Sequence, residues 1–249
     1  MKKLYLSKRL ETVAKMVEPT AFLVDIGCDH GFLAIKLVRE GIAKKALCTD
    51  VNEGPLQRAK EHIKEEKLEN QIGTCLSDGL LSADKDMHFT AATICGMGGL
   101  MGVKIIYDSD SFFRKMDCFY LQLQSDLEMV RMFLYMYGYE PIHEENVYED
   151  GKYYTVMKVV NKGNKAENFE TLDELVLTVK KRLDNLDVKE SAGFFFPYYP
   201  GQNKAGYNEF LDFMLDKYKT ILEGMPENSD RIKDIEKLID IMNYCKMSY

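Results

Sequence analysis

The chain predicts an α/β fold: a Rossmann-like, mostly parallel sheet closed by an antiparallel hairpin and followed by a helical appendage. Three observations carry this expectation. Short apolar runs alternate with helical patterns up to residue 138, and such alternation argues for a parallel sheet with right-handed crossovers. An Asp150-Gly151 pair then separates two strand-like runs, a strong short-range hairpin signal. Beyond the polar stretch Asn161–Asn168, which carries Gly163, the apolar spacing is helical. Residues 1–162 are therefore expected to form the sheet domain with a short N-terminal helix, and 163–249 the appendage.

The elements follow in order. Leu6, Leu10, Val13, Ala14 and Val17 recur at three- and four-residue spacing, which predicts a helix over 4–17 that Pro19 ends. Ala21–Ile26 reads as the first strand, with a helix over about Gly31–Arg39. Lys45–Asp50 is a second strand, and Pro55 suits the first turn of a helix to about Lys67. Asn70–Leu76, Phe89–Cys95 and Cys118–Gln122 read as further strands. Gly96-Met97-Gly98-Gly99 leads into a helix to about Tyr107, and the helix Leu127–Tyr137 is closed by Gly138. Tyr139–Tyr148 and Tyr153–Val160 form the hairpin.

Three helices are expected in the appendage, marked by Leu172 to Val179, Phe210 to Tyr218 and Ile232 to Met242. Between the first two lies Phe194-Phe195-Phe196-Pro197-Tyr198-Tyr199-Pro200-Gly201, which its prolines exclude from regular helix. That segment is expected to pack the appendage onto the sheet domain, with stacking on unpaired bases as the alternative.

Composition narrows the function. A hydrophobic content of 46% over 249 residues supports a sizeable core. No run reaches the roughly 20 apolar residues of a membrane span, and the N-terminus lacks the apolar stretch of a signal peptide. Six scattered cysteines without a C-x-x-C pair read as reduced thiols of a cytoplasmic protein. With four histidines they show no metal-ligand spacing. A net charge of −7 means that any nucleic-acid partner needs a local basic patch. Lys2, Lys3, Lys8 and Arg9 offer one at the N-terminus, and Lys44-Lys45 and Lys180-Lys181-Arg182 are further basic points.

The chemistry concentrates at Val24-Asp25-Ile26-Gly27-Cys28-Asp29-His30-Gly31, a strand–loop–helix junction of the kind that binds nucleotides in open α/β sheets. Its loop holds two acids, Asp25 and Asp29, and no lysine. Phosphate would be repelled there, whereas the sulfonium and ribose of S-adenosylmethionine would not. Gly27 lets backbone approach a ligand closely, and Asp29 stands where a G-x-G-x-x-G fingerprint has its second glycine. Asp50, followed by Val51, closes the second strand 25 residues after Asp25, where an acid accepts from ribose hydroxyls. Asp78-Gly79 follows the third strand and suits an adenine-edge site. Singly, each acid is equally a helix cap or turn residue; three at successive strand ends are stronger evidence. Gly96 and Met97, in the glycine-rich loop after the fourth strand, leave exposed backbone and space for a flat base.

These motifs together resemble the bacterial tRNA (adenine-22-N1)-methyltransferase family. The matching residues are Ser7-Lys8-Arg9-Leu10, Asp25-Ile26-Gly27-Cys28-Asp29-His30, Glu53-Gly54-Pro55, Asp78-Gly79-Leu80, Ile94-Cys95-Gly96-Met97-Gly98-Gly99, Leu121-Gln122 and Glu149-Asp150-Gly151-Lys152-Tyr153-Tyr154. The likeness covers residues 6–160, and the tail only in outline. The chain departs from the family at Gly31-Phe32-Leu33-Ala34, at Asp50 in place of Glu, and at Leu121-Gln122-Leu123-Gln124.

The resemblance implies methyl transfer from S-adenosylmethionine to N1 of a tRNA adenine, at position 22 in the D-loop region. It places Asp29 and His30 in the catalytic centre. Asp25, Gly27, Asp50, Val51, Asp78, Gly79, Gly96 and Met97 fall at the cofactor, and Lys8 and Arg9 at RNA. The sequence leaves the oligomeric state open with a monomer favoured, and no metal and no membrane partner are expected. A methyltransferase with another RNA, a protein or a small molecule as acceptor is the alternative.

Overall fold

The computed structural model describes residues 5–163 and 168–249; Lys2 and Lys3 lie outside the described residues. Seven strands form one sheet: β1 (Thr20–Ile26), β2 (Ala43–Asp50), β3 (Ile72–Leu76), β4 (Ala91–Met97), β5 (Cys118–Leu123), β6 (Tyr139–Glu149) and β7 (Lys152–Asn161). Their order is β3-β2-β1-β4-β5-β7-β6. The first five are parallel, and β7 runs antiparallel to both β5 and β6. The order reverses between β1 and β4, and ligands of open α/β sheets bind in the crevice outside that switch point. The hairpin turn forms as expected: Asp150 and Gly151 both take positive φ, 51° and 78°, as a tight two-residue turn matched to strand twist requires.

Helices cover both faces. One face carries α1 (Lys8–Met16), α2 (Phe32–Arg39) and α3 (Glu53–Glu65). The other carries α4 (Gly99–Asp108), the short α5 (Asp110–Phe113), α6 (Leu127–Met136) and α7 (Leu172–Asn185). Period-two alternation assigns β1 to the two layers: Leu23 packs under α1 and α2, while Val24 and Ile26 pack under the opposite helices. Full burial of each such side chain stabilises by about 1.5–3 kcal/mol.

The tail divides differently from the polar linker. Leu175, Val179 and Leu183 of α7 are buried in the core of the sheet. A separate core forms from α8 (Val188–Phe195), α9 (Lys204–Glu223) and α10 (Ile232–Ser248), around Tyr207, Leu211, Ile241 and Met242. Helix α8 was not expected. Asp187 and Glu190 close a reciprocal capping box at its start, and the first two rings of the aromatic segment, Phe194 and Phe195, end it. Phe196 then leaves helical geometry ahead of Pro197, because a residue before proline avoids the α region.

One buried ion pair joins the two cores. Arg131 of α6 donates to both Glu144 carboxylate oxygens at 2.8 and 2.7 Å. Its remaining nitrogen donates to the carbonyls of Phe194 and Phe195 at 2.7 and 3.2 Å. Tyr199 adds a 3.3 Å bond to the same Glu144. The aromatic segment therefore packs the helical unit onto the sheet. Among the described residues no helix is long and apolar enough to cross a membrane, and no group of three or more His, Cys, Asp or Glu side chains is placed to hold a metal.

Candidate active site

The loop after β1 turns through three left-handed residues, Gly27 (φ 70°), Asp29 (49°) and Gly31 (72°). Asp29 thus occupies a conformation that glycine adopts freely, and aspartate is one of the few other residues to visit it. The amides of Gly27 and Cys28 both donate to the Thr49 carbonyl, at 2.9 and 3.0 Å. A side chain at Gly27 would meet the mobile Met97 terminal methyl at 2.8 Å, and the left-handed φ of 70° is what favours glycine there. Opposite, Gly96 interrupts the β4–β5 register as a bulge with φ 78°. Bulges re-aim neighbouring groups and recur beside active sites.

Between these two loops lies a cavity of about 350 Å³. Asp25, Gly27, Asp29, His30, Gly96 and Met97 all line it. Asp25 is buried and accepts from the Thr93 hydroxyl at 2.7 Å. Burial pushes its carboxyl up to about 6, with the bonds from Thr93 and the Ala34 backbone pulling the other way. Asp29 is different: its side chain is 68% exposed at the rim, 3.5 Å from His30 Nε2. The His30 ring stacks on Phe32, with centroids 5.6 Å apart, and Phe32 stacks on His62 at 4.5 Å. His62 Nδ1 is 3.0 Å from the His30 carbonyl oxygen.

Arg9 belongs to this cavity as well. The sequence expectation placed it at RNA beside the sheet mouth, and in the fold it lines the cavity wall. Glu149 accepts from Arg9 Nη1 at 2.8 Å and from the Lys8 amide at 2.5 Å. The guanidinium stands 5.0 Å from the Tyr154 ring centroid. Its Nε–H is buried without a hydrogen-bond partner among the described residues. The Lys8 side chain remains exposed.

The other predicted acids sit along the same sheet edge, off the wall of this cavity. Asp50 accepts from the Asn52 amide at 2.8 Å and from the Asp29 amide at 3.4 Å, fastening the left-handed loop to β2. Asp78 is ion-paired with Lys104 at 2.9 Å, and Lys104 also holds Asp108 at 2.7 Å. The Ser77 amide donates to the Asp50 carbonyl at 2.9 Å, which keeps the Asp50 and Asp78 segments adjacent. Gly79 takes a positive φ of 59° against Ile105. Val51, Leu76, Leu100 and Met101 are exposed apolar residues at the strand ends and the start of α4, an apolar rim suited to a flat base.

Thr93 had no motif to mark it, and Gln124 was marked only as a departure from the family's pattern. Thr93 lies inside an apolar strand and reads as filler, yet it is the side-chain partner of Asp25. Gln124 donates from its amide to the Met97 carbonyl at 2.9 Å and from Nε2 to the Gly96 carbonyl at 3.1 Å, closing the cavity on the β5 side. The remaining basic points are distant in topology: Lys44 and Lys45 open β2 at the end opposite its site-facing Asp50, and Lys180-Lys181-Arg182 lie on α7.

These residues fit S-adenosylmethionine. An amino-acid end needs a cation and an anion, and the wall supplies an unpartnered Arg9 donor and the Asp25 carboxyl. Close approach needs the bare backbone of Gly27.

Similarity to known proteins agrees. The model of the family described as "Methyltransferase domain" matches residues 6–157. The tRNA (adenine(22)-N(1))-methyltransferase of Bacillus subtilis is 33% identical over 157 residues, covering 63% of this chain and 66% of that relative. The crystal structure of the B. subtilis m1A22 tRNA methyltransferase TrmK superposes with a TM-score of 0.73 at 25% identity, over 97% of this chain and 99% of the other. M. capricolum TrmK, solved with S-adenosyl-homocysteine, gives 0.72 at 25% identity, over 96% and 97%. With more than half its length matched by that model, the chain belongs to the methyltransferase domain family, and tRNA methyltransferases are among its relatives.

Proposed function

We propose that the chain transfers a methyl group from S-adenosylmethionine to N1 of an adenine in tRNA, at position 22. One observation supports this most: the ionisable wall at the β1–β4 gap is chemically incomplete. Arg9 keeps a buried donor without a partner, and Asp25 keeps a buried carboxyl whose side-chain partner is the neutral Thr93. The zwitterionic end of an amino-acid cofactor complements both. When bound, the cofactor supplies an electrophilic methyl group on positively charged sulfur.

The chain's own residues then divide the work. Arg9 takes the cofactor carboxylate and Asp25 the ammonium. Asp50 accepts from the ribose hydroxyls with the lone pairs that its two backbone donors leave open. Val51, Asp78 and Gly79 border the adenine, while Gly96 and Met97 present backbone to the reacting end. N1 of the target adenine carries an in-plane lone pair, so no base is needed to deprotonate it. Its ring becomes cationic as N1 is alkylated, and the exposed Asp29 carboxylate stabilises that charge. His30, within 3.5 Å of Asp29, positions the carboxylate. N1 lies on the pairing edge, so the base must leave its partner to react. Lys8 and the helical unit hold the RNA. In this reading the chain works as a monomer in the cytoplasm and needs no metal.

Mass spectrometry of tRNA nucleosides after incubation with labelled cofactor tests the proposal. Labelled 1-methyladenosine is the expected product. Label on another base, or on none, overturns it.

A further inference from the structure

A second cavity, of about 540 Å³, lies between the sheet and the helical unit and shares Gln124 with the first. Its walls come from the β5–α6 loop, the start of β7, the end of α8 and one face of α9. The rings on these walls are ordered against one another. The Tyr153 centroid is 5.2 Å from that of Phe210 and 5.2 Å from that of Phe213. All three are half-buried, whereas Tyr207 is sealed at 2% exposure inside the helical core. Rings that served only to pack α9 would be closed over in the same way; these keep aromatic surface open to the cavity.

The charges are equally open. Lys152 and Lys217 line the cavity from β7 and α9, both exposed. Arg131 also reaches it, but its charge is taken by Glu144. Two acids, Asp126 and Glu128, stand on the loop side near Gln124, and burial raises the Glu128 carboxyl above its ordinary pKa.

We propose that this cavity binds an unpaired nucleotide flanking the methylated adenine. Its base stacks on Tyr153 and Phe213, and its phosphate meets Lys152 and Lys217. The inference rests on the proposed function. An adenine brought to the rim at Gly96 and Gln124 carries its neighbour past Gln124, where the next open space is this cavity. Open aromatic faces beside unpaired cations are the common means of holding single-stranded RNA without a duplex groove. The Glu128 carboxyl adds a group able to exchange hydrogen bonds with a base edge.

The test combines kinetics with crosslinking. Phe213→Leu and Lys217→Glu are compared with Lys64→Glu, an exposed change on α3. The KM for tRNA should rise at least about fivefold in the first two, as loss of a stacked base or phosphate contact predicts. It should stay within twofold in the third, with cofactor affinity and melting temperature unchanged in Lys217→Glu. Ultraviolet crosslinking of wild-type chain to tRNA should mark peptides containing residues 151–155 and 210–218. Wild-type methylation of tRNA with KM unchanged in both cavity variants and crosslinks only elsewhere overturns the subsite and leaves the proposed function standing. Crosslinks in these two segments from a chain that transfers no methyl to tRNA retain the subsite and overturn the reaction.

Discussion

The two halves of the sheet mouth differ in how far their charges are already satisfied. On the β2–β3 side, Asp50 holds two backbone amides and Asp78 holds Lys104. On that half Asp78 has a cationic partner and Asp50 is tied to backbone, although lone pairs of Asp50 stay open. On the β1–β4 side, a buried carboxyl has a neutral hydroxyl for its side-chain partner, a buried guanidinium donor has none, and an exposed aspartate is held in a left-handed turn. The Arg9 charge is paired with Glu149, so this half leaves open one Arg9 N–H, the Asp25 carboxyl and the exposed Asp29, and chemistry and affinity should both concentrate at β1–β4.

Substitutions sharpen this contrast, starting with the largest effect. Asp29→Ala should lower methyl transfer about 100-fold or more, the usual range for removing one group aimed at developing charge, with an unchanged circular dichroism spectrum. Near-normal turnover would shift the chemistry away from the rim. Asp25→Asn should weaken cofactor binding by about tenfold or more in calorimetry, since it removes the anion facing the ammonium.

The same variant exposes a pH dependence. The folded-state pKa of Asp25 is raised to about 6 from 3.8, so its contribution to stability is full below the unfolded value and is lost as pH rises through 6. The cofactor-free chain should therefore gain stability at pH 8 from Asp25→Asn, on the order of 1–3 kcal/mol. Wild-type cofactor affinity should rise between pH 5 and 7 as the carboxyl ionises, and the variant should show a flat profile. Equal slopes in both would remove Asp25 from the ammonium.

Smaller effects complete the series. Arg9→Gln should weaken cofactor binding several-fold while leaving the salt dependence of tRNA binding unchanged; a reduced salt slope would return Arg9 to a phosphate. On the β2–β3 side, Asp78→Asn breaks a pair that is half-exposed, and such pairs contribute at most about 1 kcal/mol. Its effect on melting should be near the limit of measurement, and a large loss would erase the contrast between the halves.

The same division explains what the sequence made legible. The alternating strands, the Asp150-Gly151 turn and the acid-bearing junctions are local patterns, and all are present in the fold. The surroundings of Arg9 and Thr93 were not legible because they depend on non-local pairing. The Glu149 that turns Arg9 into the cavity is 140 positions away, and Thr93 meets Asp25 only through the β1–β4 register. Helix α8 was hidden behind three phenylalanines and two prolines, although Asp187 and Glu190 had the spacing of a capping box. Residues 164–167 of the expected linker lie outside the described residues, and the burial of α7 under the sheet was not legible.

The φ of 49° at Asp29 has a consequence for how this chain tolerates change. An L-residue there is strained by about 1–2 kcal/mol relative to glycine. A library screened only for heat resistance should therefore enrich Asp29→Gly, and its survivors would be sturdier proteins that have lost their reaction. On the role proposed for Asp29, folding and function pull this one codon in opposite directions.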